Sequence, residues 1–239
     1  MPSLVRRLAL GAAAAAVAAG LAAGCGGDGG DAPGGGGGTT PAATAPADPA
    51  AALEARAVPA GLADGVRLGR ADAPMVIEMY ADFGCPHCLE FTVNVEPRLV
   101  EEYVVTGKAA LVYRFLPLRD LTAGPAIAAW CAAQQNRFWE YHNLLFAAQA
   151  RAANGGRPSL GESFIYDGLR AMAERAGLDM AAWEACIGTS APVDAIVADM
   201  AEASKLGING TPTFVIDGAV YQNPGTWAEW QKVLAQAGR

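Results

Sequence analysis

The chain has 239 residues, which is enough for one domain of ordinary size with tails or an insertion. Its 24 acidic and 17 basic side chains give a formal net charge of −7, so nothing in the charge balance points to nucleic acid as a partner. We therefore expect one folded domain that acts on something other than nucleic acid.

Residues 1–25 have the pattern of an export signal. Two adjacent arginines form a basic n-region, and residues 8–23 form a weakly apolar, uncharged stretch that is short for a stable membrane span. The stretch ends in Leu-Ala-Ala-Gly-Cys, which resembles the lipobox of bacterial lipoproteins, although leucine usually stands where Ala22 stands here. The resemblance implies that Cys25 is lipidated and anchors the protein to the outer face of the cell membrane. The alternative is a secreted protein with a free Cys25.

Residues 26–60 are mainly Gly, Ala, Pro, Thr and Asp. Such a composition cannot bury enough apolar surface to offset the entropy of ordering, so we predict a flexible tether before a domain at residues 61–239. Export places this domain where disulfides persist. With Cys25 lipidated, four of the five cysteines remain, an even number that is consistent with two disulfides.

The motif Cys85-Pro86-His87-Cys88 stands between two predicted elements. The apolar run at residues 75–80 predicts a central strand, and a helix is predicted from Pro86 to about Val105, kinked or split at Pro97. A cysteine at a helix start meets unpaired backbone N–H groups and the positive end of the helix dipole, which stabilise a thiolate. Cys85 is therefore the predicted nucleophile.

Cys88 lies one helical turn after Cys85 on the same face, close enough to form a disulfide with it. His87 adds a hydrogen-bond donor or a positive charge beside the sulfur. Glu78 interrupts the apolar strand, and there it either relays protons to the inner sulfur or is turned outward by strand alternation.

Two alternatives remain for the motif. The first is that the motif forms half of a zinc site, but the chain has no second CxxC. Its only other histidine, His142, lies in an aromatic helical stripe, where we expect it to pack on a helix face rather than act as a ligand or base. A purely structural disulfide is the second alternative. A Thr-Pro pair at residues 211–212, just before a strand pattern, favours redox chemistry, and we expect no metal ion and no cofactor.

The remaining elements follow from periodicity and turn residues. A short first strand is predicted near residues 65–68 and an inner strand at 109–115. The pattern is then helical over about residues 120–207, with breaks at 154–158, 177–179 and 188–192. The pair Asp217-Gly218 between apolar runs predicts a hairpin, and residues 227–237 predict a closing helix.

This α/β order is similar to the thioredoxin fold with a helical insertion between its βαβ and ββα halves. Four segments resemble the exported DsbA-like thiol:disulfide oxidoreductases, namely residues 81–88, 113–118, 138–146 and 210–214. The resemblance implies that Cys85 is the exposed reactive cysteine, that Cys88 is its buried partner and that Pro212 is a cis-proline facing the dithiol.

The resemblance also implies that Thr211 offers its backbone N–H and C=O to an extended substrate. Glu78 resembles the buried acid of the family, although its loop to the first cysteine is one residue longer. Cys131 and Cys186 are expected to form a second, structural disulfide, and the alternative is two separate buried thiols. Threonine before the cis-proline is common in disulfide isomerases, whereas DsbA-type oxidases often have valine there.

The expected function is an exported, membrane-tethered oxidoreductase that forms disulfides in other exported proteins. Its partners are expected to be exported polypeptides with free thiols and a membrane redox protein that resets the dithiol. The tether occupies the place of the isomerases' dimerisation domain, so we expect a monomer. A disulfide reductase or isomerase is one alternative, and a peptide-binding module without catalysis is another.

Overall fold

The computed structural model describes residues 46–238. The helices are α1 (Pro49–Glu54), α2 (Pro86–Asn94), α3 (Glu96–Leu99), α4 (Asp120–Ala133), α5 (Phe138–Ala153), α6 (Leu160–Ser163), α7 (Tyr166–Arg175), α8 (Met180–Ile187), α9 (Ala191–Lys205) and α10 (Trp227–Ala237), and a π-helical turn, Val100–Val104, follows α3. The strands are β1 (Ala63–Asp64), β2 (Arg67–Leu68), β3 (Met75–Ala81), β4 (Ala109–Phe115), β5 (Thr213–Ile216) and β6 (Ala219–Gln222). Within this part of the chain, no helix combines the length and the apolar character needed to cross a bilayer.

The six strands form one sheet in the order β1-β2-β4-β3-β5-β6. The central pair β3 and β4 is parallel, and the connection between them carries α2 and α3. β5 pairs antiparallel with β3, and β6 closes a hairpin with β5. This arrangement is the predicted thioredoxin fold.

The register of β3 decides which of its side chains meet α2. Met79 lies opposite Phe214 of β5, so the two side chains share one face of the sheet. Phe91 of α2 contacts Phe214 with ring centroids 4.8 Å apart, which places α2 on that face. Trp230 of α10 packs on the same two rings and is fully buried. The motif helix is thereby fixed against the sheet by aromatic packing.

The helical insertion runs from α4 to α9, residues 120–205, close to the predicted limits. A disulfide between Cys131 of α4 and Cys186 of α8 joins the two helices, as the resemblance implies. The sequence did not predict the break between α4 and α5, where Asn136 has a φ of 55°. The aromatic stripe therefore lies on two helices rather than one.

The predicted tether is wrong for residues 49–60. Helix α1 packs on α5, and Leu53 is fully buried there. Asp48 caps the helix by accepting a hydrogen bond from the backbone N–H of Ala51. The composition of this segment did not reveal helix α1, because the helix docks through one buried leucine among alanines. The predicted signal, Cys25 and residues 26–45 lie outside the described residues.

Two further boundaries differ from the prediction. The helix expected from residue 86 to about 105 divides at Val95, whose φ is −117°, because Pro97 has no N–H to continue the helical hydrogen bonds. The single strand expected at residues 65–68 is instead the turn and second strand of a hairpin. Gly65 reverses the chain there with a φ of 55°.

Candidate active site

Cys85 is the N-cap residue of α2. Its backbone is extended, and its carbonyl accepts hydrogen bonds from the N–H groups of Cys88 at 3.1 Å and Leu89 at 3.2 Å. Pro86 occupies the first turn, where its missing N–H breaks no helical bond. The predicted position of Cys85 at the helix start is confirmed.

The loop before Cys85 is held by Asp82, which is buried. Its carboxylate accepts hydrogen bonds from the backbone N–H of Gly84 at 2.7 Å and of Leu118 at 2.8 Å, and from the Thr122 hydroxyl at 3.1 Å. Gly84 has no room for a side chain, because a Cβ there would lie 2.5 Å from Cγ2 of Thr122. These contacts tie the end of β3 to the start of α4 and so fix the position of Cys85.

Thr211 and Pro212 face Cys85 from the start of β5. The Thr211–Pro212 peptide bond is cis, as the resemblance implies. In its protonated form the Cys85 thiol donates a hydrogen bond to the carbonyl oxygen of Thr211, with 3.1 Å between sulfur and oxygen. Beside them lies a polar cavity of about 350 Å³ lined by His87, Asn209, Gly210, Thr211, Pro212, Thr213, Gln222 and Asn223. We call this cavity the substrate groove.

Both cysteines of the motif are thiols in this structure, and neither is freely exposed. Cys85 is 8 % exposed and Cys88 is 1 % exposed. Cys85 is thus less exposed than the resemblance implies, and its sulfur contacts the carbonyl oxygen of Thr211. Cys85 is still the more accessible of the two.

The pKa values of the two thiols are shifted in opposite directions. The pKa of Cys85 is lowered to about 5, first by a hydrogen bond from the Cys88 thiol, which outweighs the desolvation of the sulfur. Thr211 and the backbone N–H groups of Cys88 and His87 lower it further. Burial raises the pKa of Cys88 well above its ordinary value, and the neighbouring Cys85 adds to that rise. One sulfur is thus a thiolate at neutral pH, and the other keeps its proton.

The His87 side chain, which was expected to assist the sulfur, pairs with Glu90. Its Nδ1 lies 2.9 Å from Oε2 of Glu90, and both side chains are exposed. This carboxylate raises the pKa of His87, and the charge of Cys85 contributes only weakly to that rise. The backbone N–H of His87 assists Cys85, whereas its imidazole acts only through its charge.

The comparisons with known proteins agree with this geometry. Residues 62–236, well over half of the chain, match the family described as thioredoxin. The chain belongs to the thioredoxin family. It is similar to the Na(+)/H(+) antiporter NhaA 3 of Salinispora tropica, with 35 % identity over 164 residues that cover 67 % of this chain and 22 % of the antiporter. The match thus spans only about a fifth of that relative's length.

Two other similarities concern disulfide chemistry by name. The probable disulfide bond formation protein D of Bacillus anthracis is 25 % identical over 154 residues, which cover 63 % of this chain and 69 % of that protein. The crystal structure of Wolbachia pipientis alpha-DsbA1 superposes with a TM-score of 0.59 at 25 % identity, covering 72 % of this chain and 90 % of that one. These findings confirm the resemblance to DsbA-like members of the thioredoxin family.

The structure does not bring Glu78 to the thioredoxin-family dithiol. Met79 faces α2, so the preceding residue points to the opposite side of the sheet. There Nε of Arg114 donates to Oε1 of Glu78 at 2.8 Å, and Arg114 also pairs with Asp199. The outward alternative holds for Glu78, and its proton-relay role has no support in this geometry.

His142 is fully buried among aromatic rings, including Phe83 and Phe146. It therefore packs as expected, but one of its ring nitrogens, Nε2, has no hydrogen-bond partner. Sequence reasoning missed its neighbour Glu96, which is buried and lies 3.7 Å from that nitrogen. Only the proline after Glu96 marked this stretch in the sequence, and a proline carries no information about a partner on a distant helix.

Proposed function

We propose that this protein is an exported thiol:disulfide oxidoreductase that forms disulfides in other exported proteins. The observation that carries the proposal is the asymmetric dithiol at the start of α2, where Cys85 is the more acidic and the more exposed thiol while Cys88 is buried and has a raised pKa. The similarity to proteins named for disulfide formation supports the same chemistry.

The reaction begins with the oxidised protein, in which Cys85 and Cys88 form a disulfide. A substrate thiolate attacks Sγ of Cys85, the bond between the two cysteines breaks, and Cys88 leaves with the electron pair. A second substrate thiolate then attacks the substrate sulfur of the mixed disulfide and releases Cys85 as a thiolate. The substrate loses two electrons to the dithiol, and a membrane redox partner removes them in a separate exchange.

The acidity of Cys85 supports the proposed direction of the reaction, which is oxidation of the substrate. A low pKa makes Cys85 a good leaving group and stabilises the reduced protein, which raises its oxidising power. Thr211 is the feature that favours the alternative, a disulfide reductase or isomerase, because threonine before the cis-proline is common in isomerases. The backbone of Thr211 borders the groove and is suited to hold an extended substrate by strand addition.

The proposed location is the outer face of the cell membrane, with the monomeric domain held by a lipid on Cys25. The support is the basic n-region, the short apolar stretch and the Ala-Gly-Cys ending. Mass spectrometry of protein extracted from membranes tests this point. A lipid-modified N-terminal Cys25 is the expected result, and an unmodified Cys25 or cleavage elsewhere contradicts it.

The function itself is tested with oxidised protein and a reduced, unfolded substrate. The wild-type protein is expected to transfer its disulfide to the substrate, and Cys85→Ser is expected to transfer none. When Cys88→Ser is instead given a substrate that already contains a disulfide, the Cys85 thiolate is expected to attack it and remain joined to one substrate sulfur while the other leaves, because no internal thiol can release the substrate. If the protein binds the substrate but the wild type leaves its thiols reduced, the peptide-binding alternative replaces the oxidoreductase.

A further inference from the structure

A row of buried polar side chains continues from the dithiol along the helix. Thr92 and Glu96 follow Cys88 at intervals of four residues, and they are 0 % and 2 % exposed. Four helical residues advance the chain by about 6 Å and return to the same face. Val95 keeps a right-handed helical backbone at the bend between α2 and α3. The Thr92 hydroxyl is therefore about one turn from Cys88 and one turn from Glu96.

This row contains polar atoms without hydrogen-bond partners. Oγ1 of Thr92, Oε2 of Glu96 and Nε2 of His142 are all buried and have no partner at full hydrogen-bond geometry, although the Thr92 hydroxyl lies near enough to Glu96 to lower the pKa of its carboxyl group. Leaving such an atom unpaired is costly, so buried polar atoms are nearly always satisfied. Oε2 of Glu96 and Nε2 of His142 lie 3.7 Å apart, just beyond hydrogen-bond distance, so a proton between them and a small approach would satisfy both atoms.

The surrounding hydrogen bonds determine which atom carries that proton. The Asn143 amide nitrogen donates to the backbone carbonyl of Arg56 at 3.4 Å, so the Asn143 oxygen faces Nδ1 of His142 at 3.2 Å. Nδ1 must then carry the hydrogen, and Nε2 presents a lone pair to Glu96. Oε1 of Glu96 accepts from Nη1 of Arg56 at 3.1 Å. Only a protonated Oε2 completes this ring of contacts.

The charges around Glu96 agree with a proton on its carboxyl group. Burial raises the pKa of Glu96 to about 7, against the opposing effects of Arg56 and Thr92. Burial lowers the pKa of His142 to about 3, so the imidazole is neutral. Glu101 lines the same cavity as Arg56 and Glu96. At the other end of the row, the groups that act on Cys88 are Cys85, Asp82 and Thr211.

We propose that Glu96 stores the proton that Cys88 takes up when its disulfide with Cys85 opens, and that Thr92 passes it on. Cys88 leaves as a thiolate, the Thr92 hydroxyl gives its proton to Sγ of Cys88, and Oε2 of Glu96 gives its proton to the Thr92 oxygen. The result is a neutral thiol and a Glu96 carboxylate, which Arg56 balances until the carboxylate takes a new proton from solvent. When the dithiol is oxidised again, the proton of Cys88 leaves by the same route. The proposal rests on the disulfide exchange proposed above.

A cavity gives Glu96 its own exchange with solvent. The cavity has a volume of about 220 Å³ and is lined by Arg56 and Glu96 together with apolar residues that include Val58 and Val100. It shares no lining residue with the substrate groove among the described residues. The buried thiolate can thus be protonated while a bound substrate covers the groove.

The test measures how fast a small monothiol, 2-mercaptoethanol, opens the disulfide of the oxidised protein at different pH values. Rates are divided by the fraction of the reagent present as thiolate. The corrected wild-type rate is expected to fall as pH rises through about 7, where Glu96 loses its proton. Glu96→Gln is expected to give a flat profile that is about tenfold slower below that pH and equal above it. Glutamine retains the hydrogen bonds of the protonated acid, so this variant is expected to fold.

Three further variants separate proton transfer from packing. Thr92→Val is expected to flatten the profile in the same way, and Thr92→Ser is expected to restore it. Glu78→Gln, a matched acid on the opposite face of the sheet, is expected to keep the wild-type profile. Infrared spectra of the oxidised protein are expected to show a protonated carboxyl band below about pH 7 that Glu96→Gln lacks.

Failure of the proposed proton route can be distinguished from failure of the proposed function. A wild-type protein that reacts no faster than glutathione disulfide overturns the oxidoreductase itself. A wild-type protein that reacts fast while Glu96→Gln or Thr92→Val keeps the full pH profile overturns only the proton route. A flat wild-type profile also overturns it, whatever the variants do.

Discussion

The two cysteine pairs of this protein use the same chemical group for different purposes. Cys85 and Cys88 share one helix start, and their surroundings push their acidities apart. Cys131 and Cys186 are 55 positions apart and join two helices of the insertion in a disulfide. This difference indicates that redox activity depends on asymmetry between the two sulfurs and on access to one of them. A pair that closes a long loop instead contributes stability.

The largest expected effect is on activity. Cys85→Ser is expected to reduce disulfide transfer to the uncatalysed rate, because Cys85 is the attacked sulfur and the remaining motif cysteine, Cys88, is 1 % exposed. Cys131→Ser is expected to keep the transfer activity of whatever fraction remains folded. Activity per folded molecule, with folding followed by circular dichroism, checks both. Equal losses in the two variants would contradict the division of labour between the pairs.

The next effect is on stability. Cys131→Ser opens a disulfide whose cysteines are 55 positions apart, which is expected to lower the free energy of unfolding by about 4 kcal/mol in the chain-entropy model. Denaturant unfolding of the wild type and of Cys131→Ser measures the loss. Cys186→Ser is the matched control, and the double variant is expected to lose no more than either single one. A loss below about 1 kcal/mol would show that the bridge adds little.

A third effect concerns pH. Cys85 has a folded pKa of about 5, below its unfolded value of about 8.5, so the unfolded reduced protein binds more protons between these values. The stability that Cys85 adds to the reduced protein is therefore fully present above about pH 8.5 and is lost as pH falls toward 5. This loss amounts to at most about 1.4 kcal/mol per pH unit.

The oxidised protein is the control for this pH effect, because its cysteines do not titrate. The pKa of Glu96 is raised in the folded protein, so its contribution to stability is lost as pH rises through about 7. The pKa of His142 is lowered, so its contribution to stability is lost as pH falls, as for Cys85 but at lower pH. Both groups are present in both redox forms. The unfolding free energy of the reduced form minus that of the oxidised form is therefore expected to rise between about pH 5 and pH 8.5. A constant difference over this range would contradict the account.

The smallest expected effect belongs to His87. Its imidazole pairs with Glu90 and is exposed, so solvent screens its charge from the sulfur. His87→Ala is expected to raise the pKa of Cys85 by less than about one unit and to lower the reduction potential slightly. Alkylation rates against pH, with redox equilibration against glutathione, measure both. A large rise would mean that the imidazole, rather than the backbone and the Cys88 thiol, stabilises the thiolate.

Local patterns were sufficient to predict the motif and most of the elements. Cys85 at a helix start, the Asp217-Gly218 hairpin and the proline break in the first long helix are properties of a few adjacent residues. The cis peptide at Pro212 and the pairing of Cys131 with Cys186 came from the family resemblance instead. Both features are present in the structure, although neither follows from local chemistry.

The features that escaped prediction depend on contacts between distant residues. The side of the sheet on which Glu78 lies is set by strand alternation and by Arg114 on the neighbouring strand, which composition does not reveal. Glu96 and His142 are 46 positions apart on two helices, and neither has a sequence signal that names the other. Helix α1 escaped because its burial depends on docking against α5.

The most direct test of the central claim is the pKa of Cys85 in the reduced wild-type protein. Ultraviolet thiolate absorbance against pH measures it, with Cys85→Ser as the blank. The asymmetric dithiol predicts one transition near pH 5 and no second thiolate in the neutral range. A single transition near the ordinary cysteine value, about 8.5, would contradict the asymmetry and with it the proposed oxidant.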